Sequence, residues 1–476
     1  MHRIATPARS AASAVLGALM ALMVTAPLPA AARAQANTLD GYTVVRVRVP
    51  GPVEMQRLES LVHDIWSEQP RDGLVEALAS PAERTAIDES GLHYEVVVDD
   101  VAGLLAAQFS PRARVLTGDP AAVVRDFFAH YHPYEEIVAH LQALVAAHPR
   151  LASMVAIGTT VEGRPISGLR ITAHPHRKRT PAVAVWGGQH AREWVTTMIP
   201  PYLATQLLEG YDTDPAIRRL VRKVEWLVVP VVNVDGYVHT WSNPMGLERF
   251  WRKNRRDNGG GAFGVDLNRN WLTGWDDPDC STTPVLPGSR SACPSSDPTS
   301  DVYRGPAPFS EPETRALRDH LTSRRGVYAM ADLHSFAQLI MWPNGFTDEL
   351  TPDHPTFQRL GSGMHDLVLA THGMSYATGP LFSTIYPVRG VAADWTYHQL
   401  GMLSFVFEVR PGGATTVAEP LLGFVLPEEQ ILPTAEELLL ALRLLGESRA
   451  ARRFPKKRKV VPGICRTEPR RCKHGT

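Results

Sequence analysis

Ala182-Val-Ala-Val-Trp186-Gly187-Gly188-Gln-His190-Ala-Arg-Glu193-Trp194 is the stretch that decides the fold. A short apolar run closed by two glycines reads as a buried strand. A histidine and a glutamate three residues apart then emerge beyond its C-terminal end. Imidazole and carboxylate are both zinc ligands, and a catalytic zinc takes three protein ligands and keeps a fourth position open. A second histidine, His334, follows another apolar run, Val327-Tyr-Ala-Met-Ala-Asp-Leu333. His190, Glu193 and His334 together form a two-histidine, one-glutamate set typical of hydrolytic zinc sites, although other first-row ions fit the same donors. Spacing alone is weak evidence. A histidine closing a strand, with a glutamate solvated on the next turn, gives the same pattern.

Further apolar runs end in the same way, with Val232 before Asn233-Val-Asp-Gly236 and Phe407 before Glu408. Open α/β sheets gather ligands beyond the carboxyl ends of their strands, so these distant polar residues can converge. From about residue 126 to 447 such runs alternate with helical patterns, for example Ile137, Leu141 and Leu144, or Leu438 to Leu445. That alternation predicts an α/β fold whose mixed or parallel sheet is covered on both faces. No repeat of fixed period is visible. Glu248-Arg-Phe-Trp-Arg-Lys-Asn-Arg-Arg256 carries five basic residues around Trp251, and Gly264-Val-Asp-Leu-Asn-Arg-Asn-Trp271 sets Asn268 beside Arg269. The arginine fork fits a carboxylate bidentately, so both segments can serve an anion. A solvated basic loop and a structural turn are the alternative readings.

The chain has 476 residues with a formal net charge of zero, which gives it no overall signature of nucleic-acid or membrane binding. Arg3 and Arg9 precede an apolar stretch from Ala11 to Leu28, and Ala32-Arg-Ala34 offers a small-x-small cleavage site. This reads as an export signal rather than an anchor, because Ser13, Thr25, Pro27 and Pro29 interrupt the run. A secreted protein, extracellular or periplasmic, is expected. No later stretch is long and apolar enough to span a bilayer. Four cysteines suit that compartment. Pairing Cys280 with Cys293 and Cys465 with Cys472 is the simplest of the three connectivities, and a bridge closing such a loop contributes about 3 kcal/mol.

Residues 42 to about 108 read as a small α/β unit. Val45, Val47 and Val49 share one face of a strand, Leu58, Leu61, Val62 and Ile65 fall at helical spacing, and His93 to Val98 is a second strand. A polar linker follows from Ser110 to Pro120, offering Arg112 and Arg114 to trypsin-like proteases. The tail from Glu447 holds eleven Lys or Arg against two Glu. Its Pro455-Lys-Lys-Arg-Lys-Val460 matches a nuclear-import signal only in composition, and a solvated basic tail is the plainer reading.

The chain resembles the zinc carboxypeptidases of the pancreatic A and B type. The likeness covers about three quarters of it, beginning at Tyr131-His-Pro-Tyr-Glu-Glu-Ile137 and Glu162-Gly-Arg-Pro165. It continues through His190-Ala-Arg-Glu-Trp194, Asn233-Val-Asp-Gly236, Phe250-Trp-Arg-Lys253 and Asp266-Leu-Asn-Arg-Asn-Trp271 to Ser310-Glu-Pro-Glu-Thr314 and His334-Ser335. Thr384-Ile-Tyr386, Asp394-Trp395, Phe407-Glu-Val-Arg410 and Ile431-Leu-Pro-Thr434 complete it. The resemblance implies a mixed, largely parallel twisted sheet with helices on both faces, preceded by a small antiparallel α/β pro-domain that shields the site until cleaved. It divides the chain into an export signal (1–34), a pro-domain (35–112), a catalytic domain (113–447) and a basic tail (448–476).

By the same resemblance, His190, Glu193 and His334 hold one zinc ion and Asp266 orients the first histidine. Glu408 is general base and acid, and Arg252 polarises the scissile carbonyl. Asn268, Arg269 and Tyr386 hold the substrate's free carboxylate, while Arg192 and Arg249 lie along the groove. The substrate is then the C-terminus of a peptide or protein. An activating protease and a monomeric state are implied as well. Phe336 departs from the tyrosine of the pancreatic enzymes, which alters contacts to the residue before the scissile bond.

The pocket for the departing side chain is expected from Met341, Gly345, Leu381, Ile385, Val388, Ala393 and Val406. Basic-specific relatives place an aspartate at the position of Ala393. Here it is a methyl group, which favours apolar or aromatic residues. Arg389, in the same loop, is expected in solvent; turned inward it would attract an acidic residue. Three rivals stand beside this reading. A non-catalytic peptide-end binder predicts damage at the ligands or base, and none is seen. A peptidase of similar fold would act on cell-wall peptides or prefer basic or acidic ends. A serine hydrolase lacks its GxSxG elbow here.

Overall fold

The computed structural model describes residues 39–67, 73–108, 126–177, 180–277, 294–324, 326–411 and 423–448. The export signal, Arg112 and Arg114 in the linker, all four cysteines and the tail beyond Ser448 lie outside the described residues. No helix among those described is long and apolar enough to cross a membrane.

The N-terminal unit is a four-stranded antiparallel sheet of β1 (Thr43–Arg48), β2 (Asp64–Ile65), β3 (Leu74–Ala79) and β4 (Tyr94–Val98), in the order β2-β3-β1-β4. Val45, Val47 and Val49 bury one face with Met55, Leu58 and Ile87 from two helices, Pro52–Leu61 and Pro81–Ser90. The second helix opens on a capping box, with Ser80 and Glu83 satisfying each other's backbone N–H groups. One expectation fails here. The helix stops at Leu61, Val62 is extended, and Ile65 sits on β2 opposite Ala77. Pairing with β3 satisfies the backbone there, and tertiary pairing overrides the local periodicity.

The main sheet has eight strands in the order β11-β10-β12-β9-β7-β8-β6-β5. These are β5 (Ala152–Thr159), β6 (Pro165–Ile171), β7 (Ala182–Trp186), β8 (Glu225–Val229), β9 (Val327–Ser335), β10 (Leu339–Trp342), β11 (Ala377–Pro380) and β12 (Leu403–Val409). Pairing is parallel through β12-β9-β7-β8 and antiparallel towards β6 and β5, with β10 antiparallel to β12. Every residue of β7, β8, β9 and β12 is buried, the signature of strands covered on both faces. The expected architecture is thus present, with its parallel part at the centre.

Gly187 shows why the turn after β7 needs glycine. A Cβ there would lie 2.2 Å from the Thr196 carbonyl oxygen, inside the helix Trp194–Glu209 that follows. Only a bare backbone lets that helix pack so close to the strand end and bring Glu193 back towards His190.

Candidate metal centre and active site

His190 leaves the turn after β7, Glu193 is the N-cap of the helix Trp194–Glu209, and His334 is the penultimate residue of β9. Glu193 caps nothing with its side chain. Its carboxylate points instead at the histidines, with Oε1 2.6 Å from His190 Nδ1 and Oε2 3.1 Å from His334 Nδ1. The two Nδ1 atoms are themselves 3.1 Å apart. All three residues are buried, and one ligand atom from each lies within 4.8 Å of the others. Burial raises the Glu193 carboxyl, but the two imidazoles beside it prevail and hold it down to about 2. The donor set fits zinc. Two nitrogens and a carboxylate converge, and the far nitrogen of each imidazole faces a carboxylate, as metal-bound histidines commonly do.

Asp266 ties several groups together. Its Oδ1 lies 3.1 Å from His190 Nε2 and accepts the Asn268 backbone N–H. Its Oδ2 accepts Arg252 Nε and Nη2 at 3.2 and 3.1 Å. Burial raises this carboxyl, yet Arg252, His190 and Arg269 hold it well below the usual carboxylate range. Asn254 braces the two loops, accepting Val265 N–H and donating to Glu311. Arg269 Nη2 donates to the Tyr386 hydroxyl at 2.8 Å, and Asn268 Nδ2 lies 3.1 Å from His334 Nε2. Glu408, on β12, is the Cα partner of His334 on β9 and of Leu339 on β10.

Beside Tyr386, the residues Met341, Leu381, Ile385, Val388, Ala393 and Val406 form one apolar cluster. Gly345 adjoins it, and a Cβ there would meet Val388 Cγ1 at 2.7 Å. Asp394 follows Ala393 and accepts the Gly345 N–H on both oxygens at 3.1 Å. Burial pushes its carboxyl up to about 7, against the opposing pull of backbone N–H groups and Arg389. Arg389 corrects the sequence-based expectation. It is buried, with Nε donating to Asp277 Oδ2 at 2.8 Å, because the loop folds its stem over Gly274.

Arg192 and Arg249 are also fully buried, and Arg192 is tied to the N-terminal sheet. Arg192 Nη1 donates to Asp64 Oδ1 of β2 at 2.7 Å, and its guanidinium lies over the Phe424 ring. Arg249 stacks on Trp194 and donates to the carbonyls of Arg192 and Phe424. Trp66 donates to Asp64 Oδ2 and packs against Phe250 and Phe424, in a cluster that includes Phe336.

Asn233, grouped with the candidate catalytic residues by its place after a strand, caps the helix Val234–Ser242 and donates to Gln189 and Arg252 carbonyls. Sequence reasoning passed over Gln189 and Asp332. The signal for Asp332 was there, since residues two apart on a strand share a face and His334 was already singled out.

A buried His-Glu-His triad at the C-terminal ends of parallel strands lies beside an arginine–tyrosine pair and a buried apolar cluster, a donor set that suits a metal-dependent hydrolase. The chain belongs to the zinc carboxypeptidase family, whose profile matches residues 137–441. It is 34% identical to carboxypeptidase A1 of Rattus norvegicus over 418 residues, covering 84% of this chain and 92% of the relative. To rat carboxypeptidase B it is 31% identical over 442 residues, covering 90% and 98%. Among solved structures, carboxypeptidase A from Helicoverpa armigera aligns with a TM-score of 0.68 at 26% identity, covering 86% of this chain and 98% of that one. Thrombin-activatable fibrinolysis inhibitor aligns with a TM-score of 0.72 at 24% identity, covering 85% and 98%, which shows the shared fold. The chain is therefore a metallocarboxypeptidase, a zinc hydrolase acting on peptide C-termini.

Proposed function

We propose that the chain is exported as a latent precursor and, once cut, releases apolar or aromatic residues from peptide C-termini. The observation that carries the specificity is the wholly apolar cluster around Ala393, set beside the Arg269–Tyr386 pair. Arg269, Asn268 and Tyr386 take the terminal carboxylate, and the departing side chain enters the apolar cluster. Only a chain end offers a carboxylate there, so an internal peptide would leave Arg269 without its anion. Arg252, anchored on Asp266, faces the scissile carbonyl. Glu408 takes a proton from the attacking water and returns it to the leaving amine. One zinc ion, held by His190, Glu193 and His334, supplies a water of lowered pKa and polarises the carbonyl.

The basis for export is the segment 1–34, and the basis for latency is the N-terminal sheet whose Asp64 pairs with Arg192. Residues 35–112 are then the pro-domain, 113–447 the catalytic domain and 448–476 a basic tail. Disulfides at Cys280–Cys293 and Cys465–Cys472, a monomeric state and an activating protease complete the proposal.

The specificity reading predicts a large contrast. A Lys head buried beside Ala393 finds no free counter-charge, since Asp394 is engaged with Gly345, and an unpaired buried charge costs about 3–5 kcal/mol. An aromatic side chain instead gains about 25 cal/mol per Å² of apolar surface buried. The cut enzyme should therefore favour blocked dipeptides ending in Phe over those ending in Lys by about a hundredfold or more in kcat/KM. Ala393→Asp should shift the preference towards Lys. A C-terminally varied peptide library read by mass spectrometry, before and after limited trypsin, tests the whole reading. A parent preference for Lys would overturn the pocket assignment. A preference for Glu would give Arg389 the deciding role, and activity confined to cell-wall peptides would replace the substrate class.

A further inference from the structure

We propose that Asp332 is the hydrogen-bond acceptor that holds His334 in its metal-binding tautomer, a second carboxylate–histidine pair beside Asp266–His190. The inference rests on His190, Glu193 and His334 being the metal ligands. Asp332 precedes His334 by two residues on β9, so their side chains share a face of the strand. Asp332 is fully buried. Its Oδ2 accepts Gln189 Nε2 at 2.7 Å, and Gln189 is oriented in turn by Trp271 Nε1 donating to its Oε1. Its Oδ1 is buried 3.2 Å from His334 Nε2 and accepts no hydrogen bond from any described group, so it stands as an unsatisfied acceptor beside that nitrogen.

A second group faces the same nitrogen. Asn268 Nδ2 is 3.1 Å from His334 Nε2, and Asn268 Oδ1 accepts the Ala392 N–H, so it is the amide nitrogen that points at the ring. When His334 Nδ1 gives its lone pair to a metal, neutral imidazole must carry its proton on Nε2. Asn268 Nδ2 is a donor and cannot accept that proton. Asp332 Oδ1 is an acceptor, within reach and otherwise unused. The carboxylate therefore fixes both the tautomer and the ring plane of His334, and makes Nδ1 a stronger donor. A consequence follows for Asn268. Two N–H groups now face each other across the ring edge, so its amide turns from the histidine and is left for the substrate carboxylate. Gln189, next to His190 in sequence, clamps the partner of the other histidine and couples the two halves of the site.

The experiment uses the full chain. Zinc content of the parent and of His190→Ala comes first. A parent without zinc, or a variant that keeps it, would defeat the ligand reading itself, independently of Asp332. With one zinc in the parent, chelator competition on Asp332→Ala should show affinity weakened by about 10- to 100-fold, with a smaller loss for Asp332→Asn, whose amide is a weaker acceptor. The visible spectrum of the cobalt-substituted variants should shift with the altered ring orientation. In the zinc-loaded parent, proton NMR should show a downfield, hydrogen-bonded His334 Nε2–H. Folded variants with affinity within about twofold of the parent and an unchanged cobalt spectrum would overturn the role of Asp332, given the 10- to 100-fold scale of such contacts. Should neither variant fold, the parent resonance decides, and its absence overturns the proposal.

Discussion

Glu408→Gln should retain zinc and fold while losing hydrolysis by about 10²- to 10⁴-fold, the usual contribution of a positioned proton carrier. Glu408 sits on β12 between β9 and β10, buried in a ladder that a same-sized amide leaves intact. The amide cannot take the water's proton or deliver one to the leaving amine. The metal ligands lie on other segments and keep their geometry. The loss should therefore fall on kcat, with KM nearly unchanged, because binding of the terminal carboxylate is left to Asn268, Arg269 and Tyr386. Steady-state kinetics on a blocked dipeptide ending in Phe, with zinc measured on the same sample, make the comparison. Turnover near that of the parent would mean that the proton travels by another group.

The second large effect concerns latency. The uncut chain should be nearly inert even towards small substrates, and a cut at Arg112 or Arg114 should restore activity. The cover is held by an apolar cluster around Trp66 and by the Asp64–Arg192 ion pair. Trp66→Ala removes about 3–5 kcal/mol of buried contact. In the uncut chain this raises the open population, and so the rate, by about a hundredfold or more. Equal rates for cut and uncut protein on small substrates would remove the case for shielding.

The metal set was legible in the sequence because its neighbours are simple. Short runs buried on both faces announce strands, and glycine at Gly187 marks a turn that only a bare backbone can make. What was not legible depends on partners far away in the chain. Ile65 obeys a helical spacing yet pairs with Ala77 on a strand. Arg389 is expected in solvent, but Asp277 lies 112 residues distant and draws it into the protein. Asn233 follows an apolar run as His190 and His334 do, and local turn geometry turns it into a helix cap. Arg192 and Arg249 match a substrate groove by resemblance, yet both are buried, Arg192 against Asp64 of the N-terminal sheet and Arg249 against Trp194.

His334 and Glu408 face each other as register partners on adjacent parallel strands, so main-chain hydrogen bonds set their spacing. The apolar cluster beside Tyr386 draws many of its members from another source, the stretch between Leu381 and Ala393. That stretch follows β11 as a short helix, Leu381–Thr384, and then an irregular loop that runs into the helix Ala392–Leu400. Mutation can reshape it without touching the ladder that carries the chemistry. A lineage built on this plan can change its diet while its reaction stays the same. Under the proposed specificity, Ala393 is where such a change would cost least, since one substitution there would set a carboxylate among apolar side chains.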